Sequence, residues 1–138
     1  MVIDFLDYKQ KFDNDGYFIL KNFVKKDSIS QILEEIDNSQ NTIKYFDNLN
    51  NLRRIEKLYD KGQYLINLNE KISVLLKDVF DKEFLIFKDK FNAKPPGGEG
   101  FFAHYDGVFE FIDSNNNKKK GWYEYGDFFI SALVAIDD

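Results

Sequence analysis

Histidine occurs once in this 138-residue sequence, at His104, and an aspartate stands two residues further on, at Asp106. Side chains two apart on an extended strand share a face, so a strand over residues 101 to 107 presents Phe102, His104 and Asp106 together and turns Tyr105 away. An imidazole nitrogen beside a carboxylate oxygen suits a divalent ion, and a second histidine would complete the 2-His-1-carboxylate face of non-haem Fe(II) chemistry. The same H-x-D spacing also describes an ordinary hydrogen-bonded surface pair. What precedes it favours the metal: Pro95-Pro96-Gly97-Gly98 cannot continue a ladder, and reads as a tight connection that delivers the next strand into a mouth.

The elements that must hold this pair follow from periodicity. Residues 3 to 13 place Ile3, Leu6 and Phe12 among charges, an amphipathic helix that stops at the turn signal DNDG, before a strand YFILKNF. Ser28 and Gln31 form a capping box, followed by Ile29, Ile32, Leu33 and Ile36 on one helical stripe. Another helix starts near Asn69 with the stripe Ile72, Leu75, Leu76, Val79 and Phe80. Between them LRRIEKLYD is a strand or an ordered loop. From Phe84 the pattern turns to strands: FLIFKDKFNAK, FFAHYDG, VFEFID, a polar loop SNNNKKKG, and WYEYGDFFISALVAID. Helices first and strands second predict an α+β protein, with a sandwich or barrel carrying helices outside it.

Composition bounds the partners. At this length one domain with a core is expected, with about two-thirds of the unfolded surface buried. We divide it into a mainly helical part over 1–83 and a β part over 84–138 that carries the H-x-D strand. Aromatic residues make up 17% of the chain, so it should fold around them. A net charge of -5 without a Lys/Arg stripe gives no footprint for nucleic acid or anionic lipid, and points to small molecules or proteins. Cysteine is absent, the N-terminus lacks the apolar run of a signal peptide, and no apolar stretch reaches the roughly 18 residues that span a bilayer. These features predict a cytoplasmic chain without membrane insertion.

FNAKPPGGEGFFAHYDG resembles the metal-binding segment of the phytanoyl-CoA dioxygenase family. DGYFILKNFV, LRRIEKLY and ISALVAIDD resemble further family segments in the expected order, so the resemblance covers essentially the whole chain. It implies N-terminal helices packed on a partial double-stranded β-helix, a jelly-roll or cupin-like sheet. It implies Fe(II) as cofactor, 2-oxoglutarate as cosubstrate, and O2 with a small or lipid-like organic substrate as partners. By the same resemblance His104 and Asp106 are two of three iron ligands, Asn92 holds 2-oxoglutarate through its amide, and Leu133 lines that pocket. Lys94 and Arg54 stand at positions that could contact the cosubstrate, and Phe102 could wall the site. Related halogenases replace the carboxylate ligand with a small residue, so Asp106 favours hydroxylation.

The sequence departs from the family in lacking the distal histidine ligand and the arginine that clamps 2-oxoglutarate, since its single histidine is already used. The expectation is therefore an N-terminal half of a dioxygenase, inactive by itself, ending on an apolar strand whose edge should pair with something. The alternative is a non-catalytic, aromatic-rich β domain that binds a ligand or another protein.

Overall fold

A computed structural model describes residues 5–97, 103, 109–121 and 129–136. The chain divides into two compact units, Met1–Gly98 with Ile136–Asp138, and Glu99–Ala135. The described elements of the first are α1 (Phe5–Asp15), α2 (Lys26–Asn38), β1 (Ile43–Phe46), β2 (Leu52–Glu56), α3 (Gln63–Phe80) and β3 (Lys90–Asn92). Those of the second are β4 (Phe109–Ile112) and β5 (Lys118–Gly121).

In the first unit the three strands form an antiparallel sheet in the order β1-β2-β3. The register sets Lys44, Ile55 and Phe91 side by side on one face, and Tyr45, Arg54 and Asn92 on the other. Ile55, at 2% exposure, meets Ile32 and Ile36 of α2, Leu58, and Leu65 of α3, with Phe91 and Ile136 packed against the cluster. LRRIE is thus the central strand of the sheet. Its inward Ile55 between outward Arg54 and Glu56 is the period-2 signal of a strand buried on one side.

The stripe expected for α2 is the one used, with Ile32 and Ile36 buried. The capping box does not form. The chain enters the helix at Lys25, so Ser28 already lies inside the first turn and its amide reaches the Lys25 carbonyl at 3.0 Å. Two buried isoleucines contribute about 1.5–3 kcal/mol each, more than the ~1 kcal/mol of a missing N-cap.

Helix α3 begins at Gln63, well before Asn69, because a distant residue supplies its cap. The Glu35 carboxylate of α2 accepts the Tyr64 amide at 3.0 Å and the Leu65 amide at 2.9 Å, two of the four donors that a helix N-terminus leaves unpaired. Gly62, the residue before the helix, leaves room for it: a Cβ there would stand 2.1 Å from Glu35 Cδ. At the other end Asp81 adopts a left-handed conformation, φ 52°, and closes the helix onto the Lys77 carbonyl. Phe12 of α1 meets Phe80 of α3 edge-on, with ring centroids 4.9 Å apart.

YFILKNF is not a strand. Phe18 packs its ring on Tyr8 and Phe12, Tyr17 and Ile19 stay exposed, and the chain turns at Asn22, φ 58°. Of FLIFKDKFNAK only Lys90–Asn92 pairs with β2, and Leu85 is 95% exposed.

In the second unit β4 and β5 pair antiparallel, so Lys118 to Lys120 belong to a strand and not to the polar loop. Two hairpins, β1-β2 and β4-β5, are closed by the same turn. Asp47 accepts the Leu49 and Asn51 amides at 2.9 and 2.8 Å; Asp113 accepts those of Asn115 and Asn117 at 2.9 and 2.8 Å. Asn50 and Asn116 take the left-handed position, φ 63° and 65°. Aspartate binding the backbone two and four residues ahead, with asparagine in αL, is a local turn chemistry independent of the rest of the fold. Residues 129–136 contain no strand, so ISALVAID differs here from its expected extension.

The chain is a mixture of helices and small antiparallel sheets, as an α+β reading requires. Its order differs from the expected one, because β1 and β2 precede α3 and β2 and β3 pair across it. Among the described residues no helix is long and apolar enough to cross a membrane.

Candidate functional site

His104 and Asp106 lie outside the described residues, as do Phe102 and Tyr105. Leu133 belongs to the second unit and is 92% exposed. Asn92 and Lys94 belong to the first: Asn92 is the exposed last residue of β3, and Lys94 is exposed just before the Pro95-Pro96-Gly97 turn. Among the described residues no group of three or more His, Cys, Asp or Glu side chains is placed to hold a metal ion.

Two of the residues singled out in the sequence do come together. Arg54 and Asn92 are direct partners in the β2-β3 register, so both project from the sheet face opposite the helices. That face is ordered in two rows, Tyr45–Arg54–Asn92 and Ile43–Glu56–Lys90, each running across β1, β2 and β3.

Arg54 is held from two sides. Its guanidinium carbon lies 4.3 Å from the centre of the Tyr45 ring, within cation–π range. Its Nε lies 3.0 Å from Glu56 Oε1, although the pair is not aligned as a hydrogen bond. Glu56 is buried, at 7% exposure; Lys88 approaches the same oxygen at 3.0 Å, and the Tyr45 hydroxyl donates to Oε2 at 3.4 Å. A buried carboxylate left alone would be costly, so the two cations and the phenol are what allow Glu56 to stay there. Asp89, next to Lys88, serves another end: it accepts the Leu58 amide at 2.6 Å and fixes the exit of β2.

Chemically, this arrangement is a positioned cation. The Nε edge of Arg54 is buried against Glu56. The amide of Asn92 is its neighbour. Tyr45, Glu56, Lys88 and Lys90 were not singled out from the sequence. The alternation Arg54-Ile55-Glu56 and Lys88-Asp89-Lys90 carried the signal, once both segments are taken as adjacent β structure.

The second unit has its own charged centre. The Asp113 side chain is 1% exposed, with Lys119 Nζ at 3.0 Å. The Asn117 amide, then the Lys119 ammonium, then the Asn117 side chain and Asn115 amide hold its carboxyl down to about 2. Every partner of that carboxylate is a protein donor, which makes it a structural group. No family model matches the chain, and no curated protein and no solved structure matches it.

Proposed function

We propose that this chain carries part of an Fe(II)- and 2-oxoglutarate-dependent oxygenase similar to the phytanoyl-CoA dioxygenases, hydroxylating a small or lipid-like organic molecule. The observation that carries the reading is the block FNAKPPGGEGFFAHYDG, in which a strand, a Pro-Gly turn and an H-x-D pair follow one another. The β3 strand through Asn92 and the turn at Pro96-Gly97, with Gly97 at φ 79°, support it. On this reading the strands are part of a double-stranded β-helix.

His104 and Asp106 would hold the metal. Imidazole nitrogen and carboxylate oxygen are donors suited to Fe(II), and the bound metal would supply oxygen activation coupled to 2-oxoglutarate decarboxylation. With one histidine in 138 residues, a second imidazole ligand has to come from other residues. The 138-residue chain should therefore bind metal weakly and turn over no substrate.

Because His104 is the sole histidine, its ring protons give an identifiable NMR signal. Titration with Mn(II), a paramagnetic substitute for Fe(II), should broaden that signal at metal concentrations that leave the rest of the spectrum sharp, and Asp106→Ala should weaken the effect severalfold. Equal Mn(II) binding by His104→Ala, or no broadening in a folded chain, would sink the reading. The exposed run Leu85, Ile86 and Phe87, at 95%, 49% and 52%, favours one second reading, a binding domain whose apolar segment is covered by a protein partner.

A further inference from the structure

Three successive lysines form β5, and the register gives them different fates. Lys119 stands across from Phe111, and its ammonium reaches the buried Asp113 carboxylate at 3.0 Å. Lys118 and Lys120 project from the opposite face, with Ile112 and Glu110 directly across from them on β4. Neither makes an ion pair or hydrogen bond with a described residue, Glu110 included. Lysine is a poor strand former, and two like charges on one strand face repel, so neither strand propensity nor internal pairing accounts for the placement.

The hairpin offers shape as well as charge. Ile112 is 63% exposed across from Lys118, and a shallow cavity of about 360 Å³ is lined by Glu110, Phe111, Ile112 and the three lysines. The Asp113 turn pins the hairpin, so the two ammonium groups are carried on a defined frame. Same-face neighbours on a strand stand about 6.7 Å apart, and an extended peptide has the same repeat. Carboxylates two residues apart on such a peptide therefore match Lys118 and Lys120 one for one, whereas a single small anion would have to draw both lysines together. Nucleic acid would satisfy the charge, but this face offers Ile112 and Glu110 where a base needs an aromatic ring.

We propose that the face of the β4-β5 hairpin bearing Lys118 and Lys120 docks an acidic, extended segment of another protein. Carboxylates two residues apart meet the two lysines, and an apolar side chain rests on Ile112. The surface uses neither the metal ligands nor the run Leu85 to Phe87, so it stands or falls separately from both readings above.

The test is fluorescence anisotropy of a short labelled peptide of alternating Glu and Val, titrated with the full chain at low salt. Saturable binding that weakens as salt is raised is expected, and the peptide with Gln in place of Glu should not bind. Lys118→Gln with Lys120→Gln should weaken binding about fivefold, and Ile112→Ser about threefold. Lys26→Gln, which removes the same charge from an exposed site on α2, should change it less than about twofold. In the native chain the peptide should shift the amide signals of Ile112 and of Lys118 to Lys120 and leave those of α2 in place. The assignment is overturned if those signals do not move, if the Gln peptide binds equally well, or if the double variant binds as tightly as the native chain. It is also overturned if Lys26→Gln weakens binding as much as the double variant, since net charge alone would then be the cause. Tighter binding of an oligouridylate of equal charge would make the face a nucleic-acid site and overturn it too.

Discussion

The turns Phe46–Asn51 and Ile112–Asn117 have the same backbone bonds, the same aspartate and the same left-handed asparagine, yet they stabilise their hairpins differently. In both a cation follows the aspartate by six positions, Arg53 after Asp47 and Lys119 after Asp113. Lys119 stays in register opposite Phe111 and bonds to Asp113. Arg53 falls at a bulge, since Tyr45 pairs with Arg54 and Phe46 with Leu52, and its charge helps to hold the Asp47 carboxyl down. The bulge is also what aligns Arg54 with Tyr45. The first hairpin has a third strand and two helices to lean on; among the described residues of the second unit, the turn carboxylate of Asp113 is the buried charged group. The same local chemistry thus stands beside a packed core in one hairpin and carries a buried ion pair in the other.

The largest expected effect breaks the comparison from the core side. Ile55→Ala should cost about 2–5 kcal/mol in urea denaturation and should expose β1-β2 amides to exchange while leaving β4-β5 amides as they were. Equal loss of protection in both hairpins would show that the second depends on the first unit's core. Next comes the aspartate itself. Asp113→Ala should open β4-β5, whereas Asp47→Ala should leave β1-β2 paired, as read by amide exchange of each hairpin; the reverse order would refute the difference in roles.

The titration sharpens the same contrast. Both carboxyls are held below the ordinary 3.8, first by the amide four residues on, and Asp113 further, to about 2. Because its folded value is depressed, Asp113 adds stability that is fully present above the ordinary carboxylate range and is lost as pH falls from 3.8 towards about 2. Carboxyl 13C shifts should give Asp113 the lower midpoint, and Lys119→Gln should move it up towards that of Asp47. An unchanged midpoint in that variant would leave the turn amides as the whole cause. The smallest effect concerns the shared backbone: Asn50→Gly and Asn116→Gly should each stabilise by less than about 1 kcal/mol, and by the same amount, since both positions have φ near 64°. Unequal gains would mean that the two turns differ in strain.

Apolar spacing made the middle of both long helices legible, because a stripe of Ile and Leu at helical period has few other uses. Their starts were not legible. Ser28 and Gln31 satisfy a capping pattern but sit one turn too late, and the true cap of α3 is a carboxylate 29 residues earlier in sequence. Strand assignment failed where apolar residues serve ring packing, as at Phe18, and where lysines form a strand, as at Lys118–Lys120. Of the candidate site, Arg54 and Asn92 were visible singly, each from the family resemblance. Their partnership was not, because it depends on a register set across α3 by Ile55 meeting Phe91. Glu56 and Tyr45 escaped notice since a buried carboxylate is recognisable only with its cations in view.

The carboxylate of Glu35 at the head of α3 has a consequence for how the chain acquires its structure. The first turn of α3 is completed by a residue that belongs to α2, and Gly62 keeps the opening through which it reaches. The first turn of α3 is not finished until α2 has docked. A peptide of residues 63–80 alone should fray at Gln63–Ile66, and a side chain placed at Gly62 would not merely crowd a loop but would push the Glu35 carboxylate off the first turn of α3.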